Sequence, residues 1–173
     1  SSPFVRAIFV PAGVPSMDFL EVFKKSYLVL GLPDEAIKEI YELGEYKVHT
    51  PGEDLIKAGD KSSDLIAILD GRVNILTATG EKITEVGPGH VLGEISLIDN
   101  QPRSAHAVCI ASVQACHIPS ETMRKLMGTK RDIGFVVLTN LARMMAMRLR
   151  NTGLRLDHLA EKLSAQDPWK NSL

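Results

Sequence analysis

Residues 87–107 read G-P-G-H-V-L-G-E-I-S-L-I-D-N-Q-P-R-S-A-H-A. Gly87 and Gly89 bracket Pro88, so the backbone turns tightly there. Gly93 leaves room for a ligand to approach the main chain where a Cβ would block it. The run from Glu94 to Ile98 predicts one short helical turn. Its first amides, those of Ile95 and Ser96, would point free N–H groups at an anion. Arg103 follows the turn Asp99-Asn100-Gln101-Pro102, and a guanidinium there suits a bidentate grip on a phosphate. Glu94, when ionised, only accepts hydrogen bonds, so it fits a sugar hydroxyl and repels a bare phosphate.

Around this stretch, from residue 46 to 119, the hydrophobic period is that of strands. Short runs rich in Val, Ile and Thr lie at 46–50, 54–57, 64–69, 72–77, 82–86, 105–110 and 113–118. Pro51-Gly52, Gly59-Asp60, Asp70-Gly71, Thr79-Gly80 and Gly87-Pro88-Gly89 punctuate them. Asp70-Gly71 between two apolar runs predicts a β-hairpin. Many short strands with such turns predict a sandwich or jelly-roll barrel.

The ungapped run G-E-I-S-L-I-D-N-Q-P-R-S-A, residues 93–105, resembles the phosphate-binding cassette of cyclic nucleotide-binding domains. The resemblance extends over residues 18–163. It implies a mainly-β fold with flanking helices (α+β): a β-jelly-roll barrel with an internal cassette helix, N-terminal helices and one long C-terminal dimerisation helix. It also implies roles. Glu94 would take the ribose 2′-hydroxyl, and Arg103 and Ser104 would hold the cyclic phosphate with the amides of Ile95 and Ser96. Gly93 would permit the close approach.

Outside the barrel the period becomes helical. Phe19, Leu20, Val22, Phe23 and Tyr27 predict a helix over 18–30. Pro33-Asp34-Glu35 opens a second, ending near Gly44. Ser120 is placed to cap a short helix over 121–127. Thr129 is placed to cap a helix over 129–164, about 50 Å long at about 1.5 Å per residue. Along it Phe135, Ala142, Leu149, Leu156 and Leu163 repeat every heptad, as do Leu138, Met145, Thr152 and Leu159. Only its first half can lie against a small barrel, so the exposed seam predicts a parallel homodimer. Thr152 is the polar member of the seam. The run A-M-R-L-R-N-T-G, residues 146–153, resembles the dimer helix of the family's bacterial catabolite-activator branch. That implies a contact from Thr152 to an adenine amino group; on the residues alone, a bond to its own i−4 carbonyl is the other reading. That branch carries a second hydroxyl at the next position, where this chain has Gly153. The departure bears on affinity, cooperativity and base choice.

Composition narrows the function classes. The 173 residues carry a net charge of −1 with 45% hydrophobic content, which excludes nucleic-acid binding by bulk charge. No apolar run is long enough to cross a bilayer. Cys109 and Cys116 are expected as buried free thiols of a reducing cytoplasm. The five histidines share no metal-type spacing, and no nucleophile elbow or Walker loop is present. The basic run 143–155 reads as a solvated helix face. The expected division is an apolar arm over 1–16, a cyclic nucleotide-binding barrel with N-terminal helices over 17–128, the dimerisation helix over 129–164 and a tail over 165–173 that holds Trp169. The expected function is a non-enzymatic cytoplasmic receptor for a 3′,5′-cyclic nucleotide, cyclic AMP first and cyclic GMP second. No cofactor, metal, nucleic acid or membrane is expected, and occupancy would pass through the dimer helix to a partner protein. Two alternatives stand: the sensor portion of a longer transcription regulator or channel, since no helix-turn-helix domain fits past Leu163, or a family fold that no longer binds nucleotide.

Overall fold

β3 (Leu65–Asp70) is apolar from Leu65 to Leu69, and all five of those residues are buried. Such a strand needs cover on both faces. Leu65, Ala67 and Leu69 pack with the helices, while Ile66 and Ile68 point between the sheets. β8 (Val113–Ile118) divides likewise: Val113 and Ala115 face inward, Cys116 and Ile118 face the helices. The structure, a computed structural model, describes residues 19–165. The N-terminal arm and the tail with Trp169 lie outside the described residues.

Two antiparallel four-stranded sheets form the barrel. One has the order β1-β8-β3-β6, with β1 at Glu45–His49 and β6 at Val91–Leu92. The other has the order β2-β7-β4-β5, with β2 at Asp54–Ile56, β4 at Val73–Leu76, β5 at Lys82–Val86 and β7 at His106–Cys109. Helices flank it and one internal helix interrupts it, as the resemblance implies. β6, two residues long, is the strand that the sequence pattern does not reveal.

The hairpin expected at Asp70-Gly71 is not one. β3 and β4 belong to different sheets, so this turn carries the chain across the barrel. Gly71 has φ 88°. A Cβ there would overlap the Ser112 carbonyl oxygen and lie 2.9 Å from the Cα of Val113. The hairpin instead joins β4 and β5, with Val73 opposite Val86 and the Thr77 amide bonded to the Glu81 carbonyl at 2.8 Å.

The helix predicted over 18–30 breaks in two. α1 (Phe19–Lys24) stops, and the Ser26 side chain accepts from the Leu28 amide to cap a 3₁₀ turn at Tyr27–Val29. α2 (Asp34–Glu42) follows, with acids in its first turn. After the barrel come α4 (Ser120–Thr129) and α5 (Arg131–Ala165). Neither cap is made as expected. The Ser120 hydroxyl pairs with that of Ser63, and the Thr129 hydroxyl donates to the carbonyls of Lys125 and Leu126, closing α4.

The first half of α5 buries Ile133, Val137, Leu141 and Met144, and the Asn140 amide donates to the carbonyls of Leu28 and Leu30. The seam does not face the barrel. Phe135 is 73% exposed, Leu149 75% and Leu156 61%.

Candidate functional site

Gly93 precedes α3 (Glu94–Asp99), the helix expected within the cassette, in the left-handed conformation with φ 87°. A Cβ at this position would overlap Nη1 of Arg103 and lie 2.5 Å from the Asp64 carbonyl oxygen. The glycine therefore also makes room for the guanidinium. The Leu97 amide bonds the Gly93 carbonyl at 3.3 Å. The amides of Glu94, Ile95 and Ser96 precede that first helical bond.

Arg103 lies on the chain returning from α3 to β7. Its amide donates to the Asp60 carbonyl and its carbonyl accepts from the Gly59 amide, both at 2.8 Å. Nη2 donates to the Asp64 carbonyl at 2.6 Å. The residue is 5% exposed, yet among the described residues its Nε and Nη1 have no partner. Burial pushes the guanidinium below its ordinary pKa, against the opposing pull of Asp64, Glu94 and Asp60. A guanidinium stays charged through such a shift, so the site holds a desolvated cation with unused donors.

Glu94 is 3% exposed, and its carboxylate accepts from Nη1 of Arg148 on α5. The charge of Glu94 is also felt by Tyr27: burial first and that charge second push the phenol above its ordinary value. The Tyr27 hydroxyl reaches the Val91 carbonyl at 3.4 Å.

Glu94, Arg103 and Arg148 open onto one cavity of about 400 Å³. Gly93, Glu94, Ile95, Ser96, Arg103, Ser104 and Thr152, the seven residues singled out in the sequence, all line it. Ile75, Ile83 and Val86 of the β4–β5 hairpin supply an apolar wall, and Arg148, Asn151 and Arg155 join Thr152 on the α5 side. Three arginines against one glutamate make the lining favourable to an anion. The Thr152 hydroxyl donates to the Arg148 carbonyl at 2.9 Å, so the i−4 bond is made and only its oxygen lone pairs remain for a ligand.

The sequence reading missed Arg148 and Arg155 as lining residues by assigning the basic run to solvent. The signal was present: Arg148 and Arg155 are one heptad apart and share the face of Thr152. It also missed a cross-strand cluster away from the cavity. His49 Nδ1 lies 2.7 Å from Glu53 Oε1, and His49 Nε2 lies 2.9 Å from His117 Nε2. Burial, aided by the charges of Lys47, His49 and Arg103, pushes His117 down to about 4. Among the described residues no group of three or more His, Cys, Asp or Glu could hold a metal. Cys109 and Cys116 are free and buried, and burial raises their thiols to about 11 and about 12.

A two-sheet barrel whose internal helix brings a buried glutamate to the same cavity as a buried, under-bonded arginine is the arrangement that the cassette resemblance implies. Residues 46–130 match the family model described as "Cyclic nucleotide-binding domain", and the barrel belongs to that family. The "Cyclic AMP receptor protein" of Thermus thermophilus is 29% identical over 141 residues, 79% of this chain and 63% of that protein. A solved cyclic nucleotide-binding domain from Methylobacillus flagellatus superimposes with a TM-score of 0.69 at 26% identity, covering 80% of each chain. "Glutaminase 2" of Bradyrhizobium diazoefficiens is 24% identical over 133 residues, 77% of this chain and 21% of that protein. The chain thus spans less than two thirds of the length of these curated relatives. No helix among the described residues is long and apolar enough to cross a membrane.

Proposed function

We propose that this chain is a sensor for 3′,5′-cyclic AMP, with cyclic GMP as the weaker ligand. The observation that carries the reading is Arg103, a buried guanidinium whose Nε and Nη1 lack partners among the described residues and which lines the same cavity as Glu94. A buried donor left unpaired costs about 1–3 kcal/mol, more for a charged group, so the free state is poised to take an anion. In this reading the cyclic phosphate sits on Arg103, Ser104 and the amides of Ile95 and Ser96. The ribose 2′-hydroxyl donates to Glu94, and the base rests on Ile75, Ile83 and Val86.

Thr152 favours adenine. Its proton is committed to the Arg148 carbonyl, so its oxygen acts as an acceptor. An acceptor suits the exocyclic amine of adenine and opposes the O6 of guanine. The receptor of Thermus thermophilus, by its name, supports the same choice. The sensor acts in the cytoplasm as a homodimer through the exposed seam of α5 and signals to a partner protein without chemistry of its own. The alternative, that the chain is the sensor portion of a longer regulator, is favoured by its spanning 63% of that receptor. Calorimetric titration of the whole chain with each nucleotide tests the proposal. Saturable binding with cyclic AMP tighter than cyclic GMP is the expected result; no heat and no thermal shift with either refutes it.

A further inference from the structure

The cavity residues belong to two bodies held by different parts of the fold. Arg103 is bonded through its amide, carbonyl and Nη2 to residues 59–64 of the barrel. Glu94 belongs to α3, and α3 is fastened to the helices. At its N-terminal end the link is the ion pair from Glu94 to Arg148 on α5. At its C-terminal end the link is Arg124 on α4. Arg124 Nε donates to the Leu97 carbonyl at 3.0 Å, and Nη2 donates to the Ser96 carbonyl at 3.0 Å and to Asn100 Oδ1 at 3.3 Å. Asn100 closes the helix with φ 55° and returns its amide to the Ser96 carbonyl at 3.1 Å.

Elementary helix physics explains why such a fork is needed. α3 has six residues, too few to hold a helix by its own hydrogen bonds. Of its last carbonyls only that of Ser96 receives a helical bond, from the Asn100 amide, and together they form the negative end of its dipole. A guanidinium there meets both needs with one planar group. α4 in turn meets α5 at Lys130, which closes the one helix and opens the other. The Lys130 amide bonds the Leu126 carbonyl at 2.8 Å and the Gly134 amide bonds the Lys130 carbonyl at 2.9 Å. At that elbow a Cβ on Gly134 would lie 2.5 Å from the Met127 carbonyl oxygen.

We propose that Arg124 is a positioning residue of the nucleotide site, fixing α3 at the angle that presents Glu94 to the ligand and carrying any displacement of α3 into α4 and α5. The inference rests on the cyclic-nucleotide reading above. A nucleotide spanning the cavity bonds to both bodies and competes with Arg148 for the carboxylate of Glu94. Ser96 also lines the cavity, but in the proposed complex the ligand takes its amide while Arg124 holds its carbonyl and that of Leu97, so this link persists while the other is contested. The ligand then shifts a two-state arrangement only through its unequal bonding to the two bodies.

The test compares the full chain with Arg124→Gln and Arg124→Lys, titrated with cyclic AMP and with cyclic GMP. Amide hydrogen exchange is then read at saturating cyclic AMP. Both variants are expected to bind both nucleotides more weakly by about 2- to 30-fold, with the ratio between the nucleotides unchanged. The ligand-induced change in exchange persists in peptides over residues 93–107 and is lost, in the larger part, from those over residues 120–148. Arg124→Lys keeps the charge at the end of α3 and gives up the fork, so it supplies the same split should the Gln variant fail to fold. An exchange change over residues 120–148 as large as wild type in a saturated variant overturns the inference. So does a wild-type response confined to residues 93–107. Absence of binding by the wild type instead overturns the nucleotide reading itself.

Discussion

Replacing Arg103 by methionine separates binding from stability, because the structure assigns the two effects opposite signs. Among the described residues the guanidinium makes one hydrogen bond, from Nη2 to the Asp64 carbonyl, while Nε and Nη1 are buried without partners. Methionine fills much of the same volume, removes the two unpaired donors and forfeits the one bond. The desolvation of a charged group is relieved at the same time. The melting temperature of the ligand-free chain is therefore expected to stay level or rise. Binding behaves otherwise. Two hydrogen bonds from a cation to a phosphate contribute about 1.5–3 kcal/mol each; their loss lowers affinity roughly 10²- to 10⁴-fold at 1.4 kcal/mol per tenfold. The assay is thermal unfolding of wild type and Arg103→Met with and without cyclic AMP. At a ligand concentration about 100 times Kd, binding adds about 2.7 kcal/mol, a shift of roughly 5–10 °C for a chain of this size. The wild type should show that shift and the variant should not. A variant that melts well below wild type without ligand, or one that keeps the shift, would refute the reasoning.

Three further outcomes follow from particular contacts. Stability should fall as pH is lowered from about 6.5 to about 4. The unfolded chain protonates His117 near its ordinary value, while the folded chain keeps it neutral down to about 4. The unfolded state then holds more protons across that window, so stability rises with pH there. The effect is at most about 3 kcal/mol, reduced by the solvent that reaches a half-buried ring; denaturant melts across that range should show a flatter profile for His117→Gln. Thr152→Val should bring the affinities of cyclic AMP and cyclic GMP closer by about fivefold, the worth of one hydrogen bond of about 1 kcal/mol, with an unchanged melting temperature; an unaltered ratio in calorimetry counts against its role. Leu149→Glu combined with Leu156→Glu places charges on a seam that the barrel does not cover. Sedimentation should show wild-type dimers and monomers of this variant, and a wild-type monomer would contradict the seam.

The cassette was legible because its residues are contiguous and each type has a local task. Gly93 opens a helix, Glu94 follows it and Arg103 returns on the next strand connection. The same locality limits what can be read. Arg148 reaches Glu94 from 54 positions away along the chain, which no local pattern reports. His49 and His117 meet although the β1–β8 register sets His49 opposite Val113 and His117 opposite Glu45, and their sequence spacing holds no trace of it. Asp70-Gly71 has hairpin chemistry, yet the strands on either side find partners in different sheets. Turn residues specify how the chain bends, whereas pairing is settled by which faces must be buried. The seam of α5 was legible as a heptad because helical period is local too.

The most direct measurement is a calorimetric titration of the whole chain with cyclic AMP beside its 2′-deoxy analogue. Saturation at one nucleotide per chain is predicted, with the analogue weaker by about tenfold or more, since a hydrogen bond to the buried Glu94 carboxylate is lost. Absence of saturable heat, or equal affinity for the two compounds, would contradict a pocket in which Glu94 takes the sugar while Arg103 takes the phosphate.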